Sequence, residues 1–300
     1  MRRDAAALVL AAAGGLAACA GDPDPAPCDL STAGAAWVAL GSAETGDWNV
    51  QIARADGTCR RSITSDPAAD LHPAWSRDGR LAYDSDRAPG SSVWIQTVAT
   101  GEEHRLDVGA LRATSPAFSP DGGTIAFEGR EPGATTGGIY VVSAGGGTPT
   151  LLTPEAVPHS NGGAAFSPDG ASVFFVSNRT GPYEIFRVAA SGGDAVQVTT
   201  GSRVIGKPSV SPDGRSLAFA RTAGTSTEVV LYDLGAATTT PLPLADASEP
   251  AFDPAGGRLV ARVFHGIASG VEVVRLDGLN PTPVTSGDGP FGSPAFAPRG

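Results

Sequence analysis

A seven-residue segment returns six times along this chain and constrains its fold more than any other feature. Pro116-Ala117-Phe118-Ser119-Pro120-Asp121-Gly122 is the clearest copy. Related segments begin at Pro73, Ala164, Pro208, Pro250 and Pro294, the last running to Gly300. The intervals between starts are 43, 48, 44, 42 and 44 residues. Self-similarity at a near-constant period of this size marks a repeat architecture, in which each unit leaves an apolar face that only its neighbours can cover.

The physics of one unit is readable. Ser-Pro-Asp-Gly suits a type I turn, with serine opening it, proline presetting φ, aspartate tolerated third and glycine closing it. Short apolar runs follow, such as Ile125-Ala126-Phe127 and Leu217-Ala218-Phe219, which are strand-like and too short for helices. A polar loop leads to a second apolar run, for example Ile139-Tyr140-Val141-Val142. A glycine turn and a short closing strand such as Leu151-Leu152-Thr153 complete the unit. Four antiparallel strands per repeat make one propeller blade.

These units resemble the PD40, or WD40-like, repeats of TolB propellers, which read roughly as Pro-x-aromatic-Ser-Pro-Asp-Gly, Ile-Ala-Phe-x-Ser-x-Arg, Ile-Tyr and Leu-Thr. The fullest copy runs from Phe166 to Thr199 and includes Ser177-Asn178-Arg179 and Tyr183-Glu184-Ile185-Phe186. The resemblance spans about residues 36–300. It implies a propeller fold and contact with envelope proteins such as peptidoglycan-associated lipoproteins. It implies no chemistry of its own, because propellers host many unrelated functions. TolB proteins are soluble and carry an α/β domain ahead of the propeller; the start of this chain reads differently from both.

Two fragments settle the blade count. Residues 294–300 look like a first strand and its turn with nothing after them, whereas Trp37-Val38-Ala39-Leu40 looks like a second strand with no first. Joining them predicts an all-β, six-bladed β-propeller of four-stranded antiparallel blades, in which the C-terminal strand completes the N-terminal blade. Such closure removes the exposed sheet edge of an open array.

Met1-Arg2-Arg3 followed by the apolar stretch Ala5–Ala18 reads as a secretory signal over residues 1–18. Leu16-Ala17-Ala18-Cys19 resembles a bacterial lipobox, which implies cleavage before Cys19 and acylation of that cysteine; an ordinary cleavage site is the alternative. Residues 19–35, rich in proline and aspartate, read as a stiff tether to a membrane. The expected location is the cell envelope, lipid-anchored, with the outer membrane preferred because Ala20 offers no inner-membrane retention cue. Formal net charge is −10, and −11 once residues 1–18 are removed. A body this acidic is repelled by phosphate backbones, which excludes nucleic acid as a partner class. Cys28 and Cys59 remain after Cys19. Their pairing would close a loop of about 30 residues, worth roughly 3–4 kcal/mol if unstrained.

In a four-strand meander the second–third strand loops and the connections between blades emerge on one face, and the first strand is innermost. Residues just before it therefore approach the channel mouth. On this basis His72, His159 and Lys207 are expected at comparable positions in three blades. Arg87, Arg130, Arg179 and Arg221 join them on the loops as candidate binding residues for a peptide segment or small anionic group. For each arginine the alternative is pairing with a neighbouring carboxylate to hold its loop. Asp84-Ser85-Asp86 lacks the further oxygen ligands of a calcium loop and is read as a solvated turn. The aromatic residues Trp75, Phe118, Phe166 and Phe252 are expected between blades.

No Gly-x-Ser-x-Gly, His-Glu-x-x-His or Cys-x-x-Cys motif occurs. Neither catalytic residues nor a metal or cofactor are expected, and a monomer is. Three function classes remain: a non-enzymatic protein-interaction scaffold, a carbohydrate- or small-molecule-binding propeller with a lyase among its options, and a structural ring acting as spacer or surface decoration.

Overall fold

A computed structural model of the chain describes residues 36–298, apart from 89, 155–158, 267, 278–280 and 286–288. The predicted Cys19 and Cys28, and the leader and tether, lie outside the described residues. Within them every regular element is a strand.

The first blade contains β1 (Trp37–Ser42), β2 (Asn49–Arg54) and β3 (Arg61–Ser62). The second is β4 (Asp70–Trp75), β5 (Arg80–Ser85), β6 (Ser92–Thr97) and β7 (Glu102–Arg105). The third is β8 (Arg112–Phe118), β9 (Thr124–Arg130), β10 (Gly138–Ser143) and β11 (Thr150–Leu151). The fourth is β12 (Asn161–Phe166), β13 (Ser172–Ser177), β14 (Glu184–Ala189) and β15 (Val196–Gln197). The fifth is β16 (Val204–Val210), β17 (Ser216–Ala223), β18 (Ser226–Asp233) and β19 (Thr238–Ala245). The sixth is β20 (Ala247–Phe252), β21 (Arg258–His265), β22 (Ala268–Arg275) and β23 (Thr282–Pro283). The last strand, β24 (Phe291–Phe296), pairs antiparallel with β1, so the first sheet runs β24-β1-β2-β3 and the ring shuts as expected.

The repeated residues earn their places locally. In Ser119-Pro120-Asp121-Gly122 the Ser119 hydroxyl donates to Asp121 Oδ1 (2.5 Å) and accepts the Thr124 N–H (2.9 Å). Ser167 and Ser211 repeat both bonds. The serine thus couples the turn to the first residue of the next strand. Gly122, Gly170 and Gly214 have φ of 72, 72 and 70°, which glycine adopts without penalty. The threonine that ends a unit has a comparable task. Hydroxyls of Thr64, Thr153, Thr199 and Thr285 accept the N–H of Val50, Ile139, Ile185 and Val271 at 2.9–3.1 Å, securing third strands whose outer neighbours are only two residues long.

The core lies between blades. Tyr83, Phe127, Phe175 and Phe219 occupy the same place on successive second strands and are fully buried. Burying each such side chain contributes about 1.5–3 kcal/mol. Ile125 and Phe127 of the third blade pack against Val93 and Ile95 of the second, and Phe118 completes that cluster. Phe166, Trp75 and Phe252 pack similarly in theirs.

Candidate functional site

The six innermost strands, β4, β8, β12, β16, β20 and β24, enclose a central channel of about 770 Å³. Its wall is built from one device used six times. Each innermost strand carries a bulge against its partner, as between Leu71 and Ala74 or Thr114 and Ala117. Within each bulge one residue is left-handed: His72, Ser115, Gly163, Gly206, Glu249 and Ser293, with φ between 49 and 68°. This conformation disfavours residues with a Cβ by roughly 1–2 kcal/mol. It also turns the backbone N–H out of the ladder, so the group needs another partner.

Carboxylates from the preceding blade supply it at three junctions. Asp84 Oδ1 accepts the Ser115 N–H (2.9 Å), Glu128 Oε1 accepts that of Gly163 (2.7 Å) and Glu249 Oε2 accepts that of Ser293 (2.7 Å). These bonds latch adjacent blades around the channel, with Glu128 and Glu249 at its wall and Asp84 buried behind it. Asp84 is therefore no solvated turn residue: it is buried on β5, and its Oδ1 also lies 2.8 Å from His72 Nδ1. From sequence it reads as loop because the apolar run Leu81-Ala82-Tyr83 ends just before it, whereas the strand continues to Ser85.

The fifth blade departs from the pattern. Its bulge spans Ile205 to Ser209 against Ala220 to Ala218, one residue more than in the others. Gly206 takes the left-handed position and Lys207 follows it. The Lys207 side chain passes the fourth blade and donates from Nζ to the carbonyl of Pro116 in the third (3.1 Å). Gly163 makes room, since a Cβ there would stand 2.9 Å from Lys207 Cα.

Electrostatics follow from this crowding. For His72, burial weakens the hold on a proton, but the Asp84 bond and charge, with Glu249 and Glu128 further off, outweigh it and lift the pKa above the usual imidazole range. For Lys207, burial dominates and lowers the pKa to about 8, against the pull of Glu128 and Asp84.

Of the seven candidate binding residues, the channel wall includes His72 and Lys207. His159 does not share their position: it lies four residues ahead of Gly163, which holds the equivalent place, because the fourth blade enters its strand through a longer connection. Arg87 is an anchor of its own blade. It contacts Asp66 (3.0 Å), Asp70 (3.2 Å) and Glu103 (3.0 Å) and stacks over Trp94 at 4.5 Å. Arg179 stacks on Phe186 at 4.7 Å and donates to Asn161 Oδ1 (3.1 Å), again inside its own blade. Arg221 pairs with Glu228 (2.7 Å) across its hairpin. Arg130 is exposed at the end of β9, opposite Arg112. Glu128 and Glu249 were not singled out from sequence. For Glu249 the available signal was the position directly before the repeat proline, shared with His72, Ser115, Lys207 and Ser293; Glu128, inside β9, does not hold that position.

The two ends of the channel differ. Trp75, Phe118, Phe166, Val210, Phe252 and Phe296 ring the turn side. On the loop side Tyr183 and Ile205 stand 42% and 36% exposed. Among the described residues no three His, Cys, Asp or Glu side chains gather as a metal set.

The family model described as the TolB beta propeller domain matches residues 33–300. The chain belongs to the TolB β-propeller family. The chain is similar to the Tol-Pal system protein TolB of Bordetella pertussis, 30% identical over 149 residues, which are 49% of this chain and 33% of that protein. The match thus spans about a third of that relative's length. The crystal structure of TolB from Acinetobacter baumannii superposes with a TM-score of 0.76 at 25% identity, covering 88% of this chain and 67% of that one. Putative TolB from Agrobacterium tumefaciens gives 0.69 at 20% identity, covering 85% and 90%, a likeness of fold.

Proposed function

We propose that this TolB-type ring is a non-catalytic scaffold of the bacterial cell envelope that docks a segment of another envelope protein at the loop-side mouth of its channel. The observation that carries this reading is the mouth itself: an open, preformed channel whose walls mix polar and apolar groups, with an apolar lip at Tyr183 and Ile205. Rigid concave sites with a few fixed polar groups are the usual places for ligands and partner segments. Exposed aromatic and aliphatic anchors beside them provide the desolvation that holds a partner. The partner class is a peptidoglycan-associated lipoprotein, as the Tol-Pal system of the Bordetella relative suggests. Acylation at Cys19 would hold the ring at a membrane surface, the outer membrane for preference, and residues 19–35 would give it reach. A Cys28–Cys59 bond would tie that tether to the first blade. The ring acts as a monomer in this reading.

The test is site-specific photocrosslinking in the full chain, expressed with its own leader. A crosslinker replacing Tyr183 at the mouth is compared with one replacing Asp169 in a turn on the opposite face. The expected result is a defined adduct with a peptidoglycan-associated lipoprotein from Tyr183 alone, reproduced with the purified partner. Equal labelling from both positions, or none with the purified lipoprotein, would refute it.

A further inference from the structure

The chain contains 21 lysine and arginine residues together, and Lys207 is its single lysine. Everywhere else the chain meets its need for a permanent side-chain cation with arginine. Arginine keeps its proton at any physiological pH, while lysine can give it up when water is withheld. The one lysine is at the centre of the ring, on the one innermost strand whose bulge has been lengthened, facing the channel. Its backbone is pinned between Gly206 and Gly163, and its nitrogen is held 3.1 Å from the Pro116 carbonyl.

We infer that Lys207 is a carbonyl-capture site, at which an aldehyde or ketone entering the channel condenses with the amine to form an imine on Nζ.

The geometry supplies what that chemistry needs. A carbonyl oxygen can only accept, so the Pro116 contact takes an N–H of the amine and leaves the nitrogen lone pair directed elsewhere. The surrounding wall is a half-buried channel rather than bulk water, and burial keeps the proton affinity low enough for a substantial free-amine fraction. With a pKa of about 8 the free amine is about a fifth of the population near pH 7.4, against about a thousandth for an ordinary lysine. Desolvation of this kind is an established way to make a lysine nucleophilic. In the capture step the nitrogen lone pair forms a C–N bond to the carbonyl carbon while the C=O π pair moves to oxygen, which is protonated. The resulting carbinolamine loses hydroxide, which leaves as water with a proton originating from nitrogen. One amine and one carbonyl compound thus give one imine and one water, with no oxidant or reductant. Glu128, whose carboxylate faces the same lysine and whose Oε1 is fixed by the Gly163 N–H, is placed to carry that proton. Of the other ionisable groups around Lys207, Asp84 favours its charged form, and His72 and Glu249 line the same channel.

The experiment uses the full chain and two probes, propionaldehyde and pyridoxal 5′-phosphate, each with cyanoborohydride to fix the imine. Peptide mapping separates Lys207 from the amino terminus, so the side-chain signal has one source. The expected result is alkylation of folded Lys207 near pH 7.4 at least about tenfold faster than in the urea-unfolded chain, half-maximal near pH 8. Labelling no faster than in the unfolded chain, or half-maximal only near the ordinary lysine value, would overturn it. Lys207→Arg is expected to lose the side-chain adduct; a persisting adduct at that position would count against the assignment. The readout is chemical and needs no partner protein, so its failure is distinct from failure of the docking reading.

Discussion

His72 Nδ1, at the channel wall, and Asp84 Oδ1, buried behind it, stand 2.8 Å apart on neighbouring strands of one blade. The same carboxylate oxygen receives the Ser115 N–H from the next blade at 2.9 Å. One buried acid therefore fixes an imidazole and a blade junction together. Replacing Asp84 by alanine is expected to destabilise the ring by roughly 1–3 kcal/mol, because two part-buried donors lose a buried acceptor. Urea unfolding of the variant against the parent measures it.

The His72–Asp84 pair also makes stability depend on pH. The folded imidazole binds its proton more tightly than the unfolded one, whose value lies near 6.5. Its stabilising contribution is fully present below that value and is lost as pH rises through the folded one. The stability gap between the parent and His72→Gln should therefore be widest below about pH 6 and shrink as pH rises above the unfolded value of 6.5. A gap that is flat across this range, or that widens with pH, would contradict the assignment.

Gly163 is required twice, by its φ of 63° and by the 2.9 Å approach of Lys207 Cα to the place of a side chain. Gly163→Ala should cost about 2–4 kcal/mol, combining backbone strain with a clash against main chain. Gly257, with open space where its Cβ would stand and no positive φ, should tolerate alanine within about 0.5 kcal/mol. Chemical denaturation of the two variants side by side checks the contrast.

Arg87 holds Asp66, Asp70 and Glu103 and covers Trp94, and Asp70 is completely buried. A lysine cannot reproduce the planar fork or the stacking. Arg87→Lys should lower stability by about 1–3 kcal/mol without altering crosslinking from Tyr183. A change in crosslinking with stability intact would return Arg87 to the binding site.

Deleting residues 291–300 removes β24, the innermost strand of the first blade, and leaves β1 with an unpaired edge facing the channel. The truncated chain is expected to lose its single cooperative unfolding transition and to associate, since open edges recruit other strands. Calorimetry and size-exclusion chromatography test both outcomes.

The blade unit was legible in the chain because each of its signals is local. Ser-Pro-Asp-Gly bonds within the turn that it forms, and Phe127 or Phe175 needs only its strand to point inward. Even ring closure was readable, because a first strand without a second at Pro294 and a second without a first at Trp37 complete each other. The channel wall was less so. His159 looked equivalent to His72 by distance along the chain, yet Gly163 holds that place, since the connection into β12 is longer than the connection into β4. Arg87 and Arg179 were candidates for ligands, although their place in the repeated Ser-x-Arg element pointed to holding their own loops, and both lie over aromatic rings of their own blades.

What composition, period and turn chemistry determine by themselves is the ring, its six blades and the seam where they join, because those follow from contacts between residues near in sequence or repeated in it. What only the folded ring decides is which side chains meet at its axis. Asp84 reaches Ser115, Lys207 reaches Pro116, and Gly163 lies beneath Lys207, all across blade boundaries. Such pairings depend on a bulge of one residue more or less in each innermost strand, and a single inserted residue carries no periodic signal, although it moves a lysine into the centre of the channel.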